Sequence, residues 1–140
     1  MVAVAVALAV TTAGLVVDAR ATGDGADPPL GPGLVAVDVG IHHSRFSVER
    51  VRVRRGTVVR FVVTNDDPIA HELVVGGDDV HDRHVSGSEA VHPPVPGEVS
   101  LAAGDTGVTT LAFDQPGSYR FACHLPGHLA YGMHGEVAVS

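Results

Sequence analysis

Phe46-Ser-Val-Glu-Arg-Val-Arg-Val-Arg54 leads through Arg55-Gly56 into Thr57-Val-Val-Arg-Phe-Val-Val-Thr64. In the first run Val48, Val51 and Val53 stand against Glu49, Arg50, Arg52 and Arg54. That is the period of two of a half-buried strand, with one break in register. The second run is rich in β-branched residues, which favour strands, and Gly56 supplies the turn between them. Outward from this pair, Leu34–Val39, His71–Val75, Val99–Ala102, Val108–Phe113, Ser118–Ala122 and Glu136–Val139 carry the same short signal. Gly104, Pro116-Gly117 and Gly135 punctuate them. About eight strands, and no sustained helical periodicity outside the N-terminal run, predict an all-β, two-sheet antiparallel sandwich. Gly76–Gly97 is too polar and too long for a hairpin. It reads as a functional loop carrying His81, His84 and His92.

Composition narrows the chemistry. The 140 residues suit one domain, and 45% apolar residues fill one core, which excludes intrinsic disorder. The formal charge is −7, all nine basic residues are arginine, and aromatics make up 4%. Such a chain lacks the basic face and stacking platforms that nucleic-acid binding needs. One cysteine excludes an intramolecular disulfide, and nine histidines point to metal.

Met1–Val17 is an uncharged Val/Ala-rich run, followed by Ala19-Arg20-Ala21 as an A-x-A-like cleavage site. Residues 1–21 are expected to be an export signal or a membrane anchor, which places the domain outside the cytoplasm, free or tethered to a membrane. The positive region that usually begins an export signal is absent. Residues 22–33, rich in Gly, Pro and Asp, read as a linker, so the folded domain is expected over residues 34–140.

The chemistry concentrates in Phe121-Ala-Cys123-His124-Leu-Pro126-Gly127-His128-Leu-Ala-Tyr-Gly132-Met133-His134. Cys123, His128 and Met133 are spaced five and five in one loop between the last two strands. Thiolate, imidazole and thioether form a soft set suited to copper in both oxidation states. Zinc accepts the same thiolate and imidazole, but a methionine adds little to a tetrahedral zinc site. A second imidazole must come from elsewhere. Asn65-Asp-Asp-Pro-Ile-Ala-His71 offers one at a strand mouth, with His43, His84 and His92 as alternatives.

The Cys…Pro-Gly-His…Gly-Met loop together with the upstream Asn-x₅-His resembles the cupredoxins, the small blue copper proteins that include plastocyanin, azurin and sulfocyanin. The resemblance covers about Leu34 to Ser140. It implies a Greek-key β-sandwich and one type 1 copper per chain, held by His71, Cys123, His128 and Met133. It also implies a one-electron carrier whose redox partner docks near His128. In the family the residue after the first histidine is often Asn or Ser, which pins the cysteine loop; here it is Glu72, whose role is left unassigned.

Seven histidines remain: His42, His43, His81, His84, His92, His124 and His134. Most read as solvated loop residues. His124 follows Cys123 directly, and in an extended backbone its side chain points away from the cysteine side. A histidine beside the cysteine links two copper centres in multicopper oxidases and copper nitrite reductases. Residue 122 is alanine, however, and there is no His-x-His pair. The functions left open are an electron carrier, a copper storage, delivery or resistance module, and an oxidase or reductase with a second copper. Arg50, Arg52, Arg54, Arg55 and Arg60 are expected to keep a sheet face or edge soluble. Pro68, Ile69, Ala70, Pro94, Leu125, Pro126 and Leu129 are expected to rim the metal as a partner surface.

Overall fold

The computed structural model describes residues 27–86 and 94–140. Eight strands form two sheets. The smaller sheet orders β1 (Gly33–Ile41), β3 (Thr57–Asn65) and β6 (Thr106–Phe113) side by side. The larger orders β2 (Arg50–Val53), β8 (His134–Val139), β7 (Gly117–Ala122), β4 (His71–Gly76) and β5 (Glu98–Leu101). The sandwich is mixed rather than wholly antiparallel as expected. β1 runs parallel to β3 and β2 parallel to β8, because the chain crosses between sheets before each pair meets.

Alternation places one face of each sheet in the core. Val35, Val37, Val39 and Ile41 of β1 face inward with Val59, Phe61 and Val63 of β3. They meet Val51, Val53, Leu73, Val75, Phe121, Val137 and Val139 from the larger sheet. Phe46 packs edge-on against Phe121, with ring centroids 5.5 Å apart. The register break after Val48 is the crossover itself. The Ser47 amide donates to Gly40 O in the small sheet at 2.8 Å, while Glu49 O accepts from Glu136 N in the large sheet at 2.9 Å.

β2 is the edge of the larger sheet, and Arg52 within it and Arg54 just after it hold the chain that enters β1. Arg52 donates to Asp27 O and Arg54 to Gly31 O, while Leu30 pairs with Val53. The last residues of the expected linker are therefore stitched to the domain. The expected leader, residues 1–21, and residues 22–26 lie outside the described residues. Among the described residues, no helix is long and apolar enough to cross a membrane.

A second expectation fails. Within the expected loop Gly76–Gly97, Asp78–Ser86 forms a helix, α1. Asp78 and Asp79 in the first turn, and Arg83 and His84 in the last, complement its dipole. Hydrophobic periodicity missed it because its most deeply buried side chain is His81 rather than an aliphatic residue. α1 covers the outer face of β4, so all six residues of that strand are buried. Gly76 permits this approach: a Cβ there would lie 2.6 Å from Val80 Cγ2.

Candidate metal centre

His71 opens β4, and Cys123 follows β7 on the core-facing side of its strand. The Cys123–Met133 loop is shaped by its own backbone. His128 N–H donates to Leu125 O at 3.0 Å, and Met133 N–H to His128 O at 3.1 Å. Cys123 N–H closes the loop on Met133 O at 3.1 Å. Gly132 has φ +96°, a conformation that L side chains adopt only under strain.

These elements bring together one donor atom each from His71, Cys123 and His128, all within 4.8 Å of one another. His71 Nδ1 lies 3.2 Å from His128 Nδ1, and Cys123 Sγ lies 3.3 Å from that same nitrogen. His71 and Cys123 are buried, and His128 is half-buried. Met133 is fully buried in the core cluster that contains Cys123.

The surroundings aim these donors. His71 Nε2–H donates to Asp67 Oδ2 at 2.9 Å, which leaves the Nδ1 lone pair toward Cys123 and His128. Asp67 is itself fixed by the His43 and Ser44 amides, each at 2.7 Å. Burial pushes the Asp67 carboxyl up, but the Ser44 and His43 amides and the His71 ring outweigh it and hold it below its ordinary value. Asn65 ties the segment down by donating to Ile69 O and Ala102 O.

Glu72 does here what Asn or Ser does in the resembling family. Its buried Oε1 accepts the His124 amide at 2.7 Å and so pins the cysteine loop. The signal was its place directly after His71, whereas nothing in the sequence singled out Asp67, four residues before that histidine.

Burial pushes the Cys123 thiol up to about 11, against lowering by the Glu72 and Leu125 amides. The metal-free site therefore holds a protonated thiol at neutral pH. Burial, then the charge of His71, lowers His128. Three acceptor-capable donors converging in a buried site, one of them a thiol and none a carboxylate, fit a soft cation. A copper bound through Cys123, His71 and His128 agrees with that chemistry.

The other histidines divide. His42, His43 and His134 are exposed, and His92 lies outside the described residues. His81 and His84 of α1 meet His124 on the opposite side of β7 from Cys123. Burial, then the charges of His81, His84 and Arg120, lower His124 to about 4. Burial likewise lowers His81. Of the expected rim, Pro68, Ile69, Ala70, Pro94 and Pro126 are exposed, and Leu125 and Leu129 are half-buried. The sequence reading omitted Tyr131, which is also exposed.

The profile of the copper-binding proteins of the plastocyanin/azurin family matches residues 34–140. The chain is 39% identical over 98 residues to the copper-resistant cuproprotein CopI of Rubrivivax gelatinosus, covering 68% of this chain and 59% of that protein. It is 32% identical over 110 residues to auracyanin-B of Chloroflexus aurantiacus, covering 68% of this chain and 47% of that one. The chain thus spans about half to three fifths of the length of these relatives. Reduced auracyanin from Roseiflexus castenholzii shares the fold, with a TM-score of 0.64 and 20% identity over 79% of this chain and 98% of that one. With its profile match across the whole sandwich and a histidine, cysteine and histidine converging at one end of it, the chain belongs to the plastocyanin/azurin family of copper-binding proteins.

Proposed function

We propose that this chain is an exported electron carrier, not an enzyme, in which His71, Cys123, His128 and Met133 would hold one type 1 copper. The convergence of His71, Cys123 and His128 within 4.8 Å carries this reading. Bound copper supplies a one-electron couple between Cu(II) and Cu(I). The chain's own residues do the rest. Asp67 and the loop hydrogen bonds hold the nitrogen donors in place, which limits the rearrangement that accompanies a change of charge. Burial of His71, Cys123 and Met133 keeps water out, and the part-exposed ring of His128 provides the way to a partner. Exposed Ile69, Pro126 and Tyr131, near these residues in sequence, offer apolar surface for docking beside it.

The likeness to a copper-resistant cuproprotein favours a second reading, in which the chain binds copper to protect the cell. The two readings differ in what leaves the site. Adding Cu(II) to the purified domain should give an intense thiolate-to-copper visible band and a type 1 EPR signal. A carrier then exchanges electrons rapidly with a small redox partner and keeps its metal. A protective or delivery protein exchanges electrons slowly or gives its copper up to a chelating acceptor.

A further inference from the structure

We propose that His81 and His124 form a second metal site, specific for Cu(II), on the opposite side of β7 from Cys123. The inference does not rest on the carrier reading, because none of its donors belongs to the first site.

His81 Nδ1 and His124 Nε2 face each other at 2.8 Å. His81 Nε2 lies 3.1 Å from Arg120 O, and only its N–H form satisfies that carbonyl. With Nε2–H donating to Arg120 O, Nδ1 carries the lone pair and accepts from His124 Nε2–H, while the Gly76 carbonyl also faces the His81 ring. A backbone carbonyl on the far nitrogen is how metal-ligating histidines are commonly oriented. Three supports set this pair. α1 delivers His81 into a buried position, the strand alternation past Cys123 turns His124 toward it, and Glu72 fixes the His124 amide. His84 stacks on His124 with ring centroids 5.6 Å apart, and its Nε2 lies 3.2 Å from Glu98 Oε2. Helix α1 itself carries Asp78, Asp79 and Asp82 against Arg83, and Glu98 faces both Arg83 and His84.

Geometry and affinity select the ion. For metal–nitrogen bonds of about 2.0 Å, nitrogens 2.8 Å apart subtend roughly 90°, nearer the cis angle of tetragonal Cu(II) than a tetrahedral angle. Copper(II) also heads the divalent affinity order for imidazole donors. Among the described residues His81 and His124 supply two nitrogen donors, and water completes the coordination.

The test uses the full chain, loaded with excess Cu(II) and freed of loose metal by gel filtration. Two coppers per chain are expected, the second with a tetragonal EPR signal beside that of the first site. His81→Phe and His124→Gln should each retain one copper and an unchanged visible band, which also reports that the fold is intact. Should the Phe variant fail to fold, His81→Gln takes its place, since it keeps a polar group for Arg120 O. A wild-type ratio of one copper per chain overturns the proposal, as does a second copper that survives in either variant. Displacement of the second copper by equimolar Zn(II) overturns the assignment to Cu(II).

Discussion

Cys123 is the chain's one thiol, and its sulfur is the only one in the set that can carry charge to a metal. Cys123→Ser should therefore abolish the visible band on adding Cu(II). The fold should lose no more than about 1 kcal/mol, because the Glu72 and Leu125 amides that face the sulfur can donate to a hydroxyl. Visible spectra and thermal melts of the metal-free variant check both. Met133 acts differently if it is the axial donor: a thioether is weak and neutral, and favours Cu(I) over a harder oxygen donor. Met133→Gln should lower the reduction potential and Met133→Leu raise it, as read by voltammetry; equal potentials would make Met133 core filling. Glu72 holds the loop that carries both. Glu72→Ala strips the buried His124 amide of its acceptor and should cost about 1–3 kcal/mol, while Glu72→Gln, which retains an acceptor oxygen, should recover most of it in denaturant titrations.

At the scale of elements, the strands were legible because alternation is a local signal: Val51 and Val53 against Arg50 and Arg52 needed no tertiary information. Pairing partners were not, since the parallel match of β2 to β8 joins residues more than eighty positions apart. Helix α1 escaped for a different reason. Its inward face is polar, and a buried histidine is indistinguishable in sequence from a solvated one until β7 is placed beneath it. His71, Cys123 and His128 were legible through residue type and spacing. The support from Asp67 was not, because it depends on a loop conformation. The contacts of the approach to β1 were not legible either, since the partners of Asp27 and Gly31 are Arg52 of β2 and Arg54 just after it. Removing residues 1–26 should leave stability unchanged. Removing residues through Pro32 also deletes the Leu30–Val53 pairing and two arginine contacts, and should cost about 1–3 kcal/mol in denaturant titrations. Equal stability of the two truncations would mean that these contacts are exchanged for water without loss.

For the whole molecule, the fold and the metal are linked through protons. The sandwich has its own core of Val, Ile, Leu and Phe, so the chain folds around a site whose one thiol is neutral without copper. The cost of that neutrality sits on Cys123, whose thiol is raised from 9.0 to about 11, chiefly by burial. A raised thiol pKa means that the folded state binds this proton more tightly than the unfolded state does. Its contribution to stability is fully present below about pH 9 and is lost as pH rises toward 11. The metal-free protein should therefore weaken across that window, and the Cys123→Ser variant should not show this component. Copper must displace the same proton. Between about pH 7 and pH 9, below the raised value of the Cys123 thiol, the affinity for Cu(II) should rise about tenfold per pH unit, with one proton released on binding. Competition against a chelator across this range measures the slope, and calorimetry in buffers of different ionisation heat counts the proton. A flat affinity, or release of no proton, would mean that the thiol is already ionised in the metal-free fold, and that burial does not govern the site.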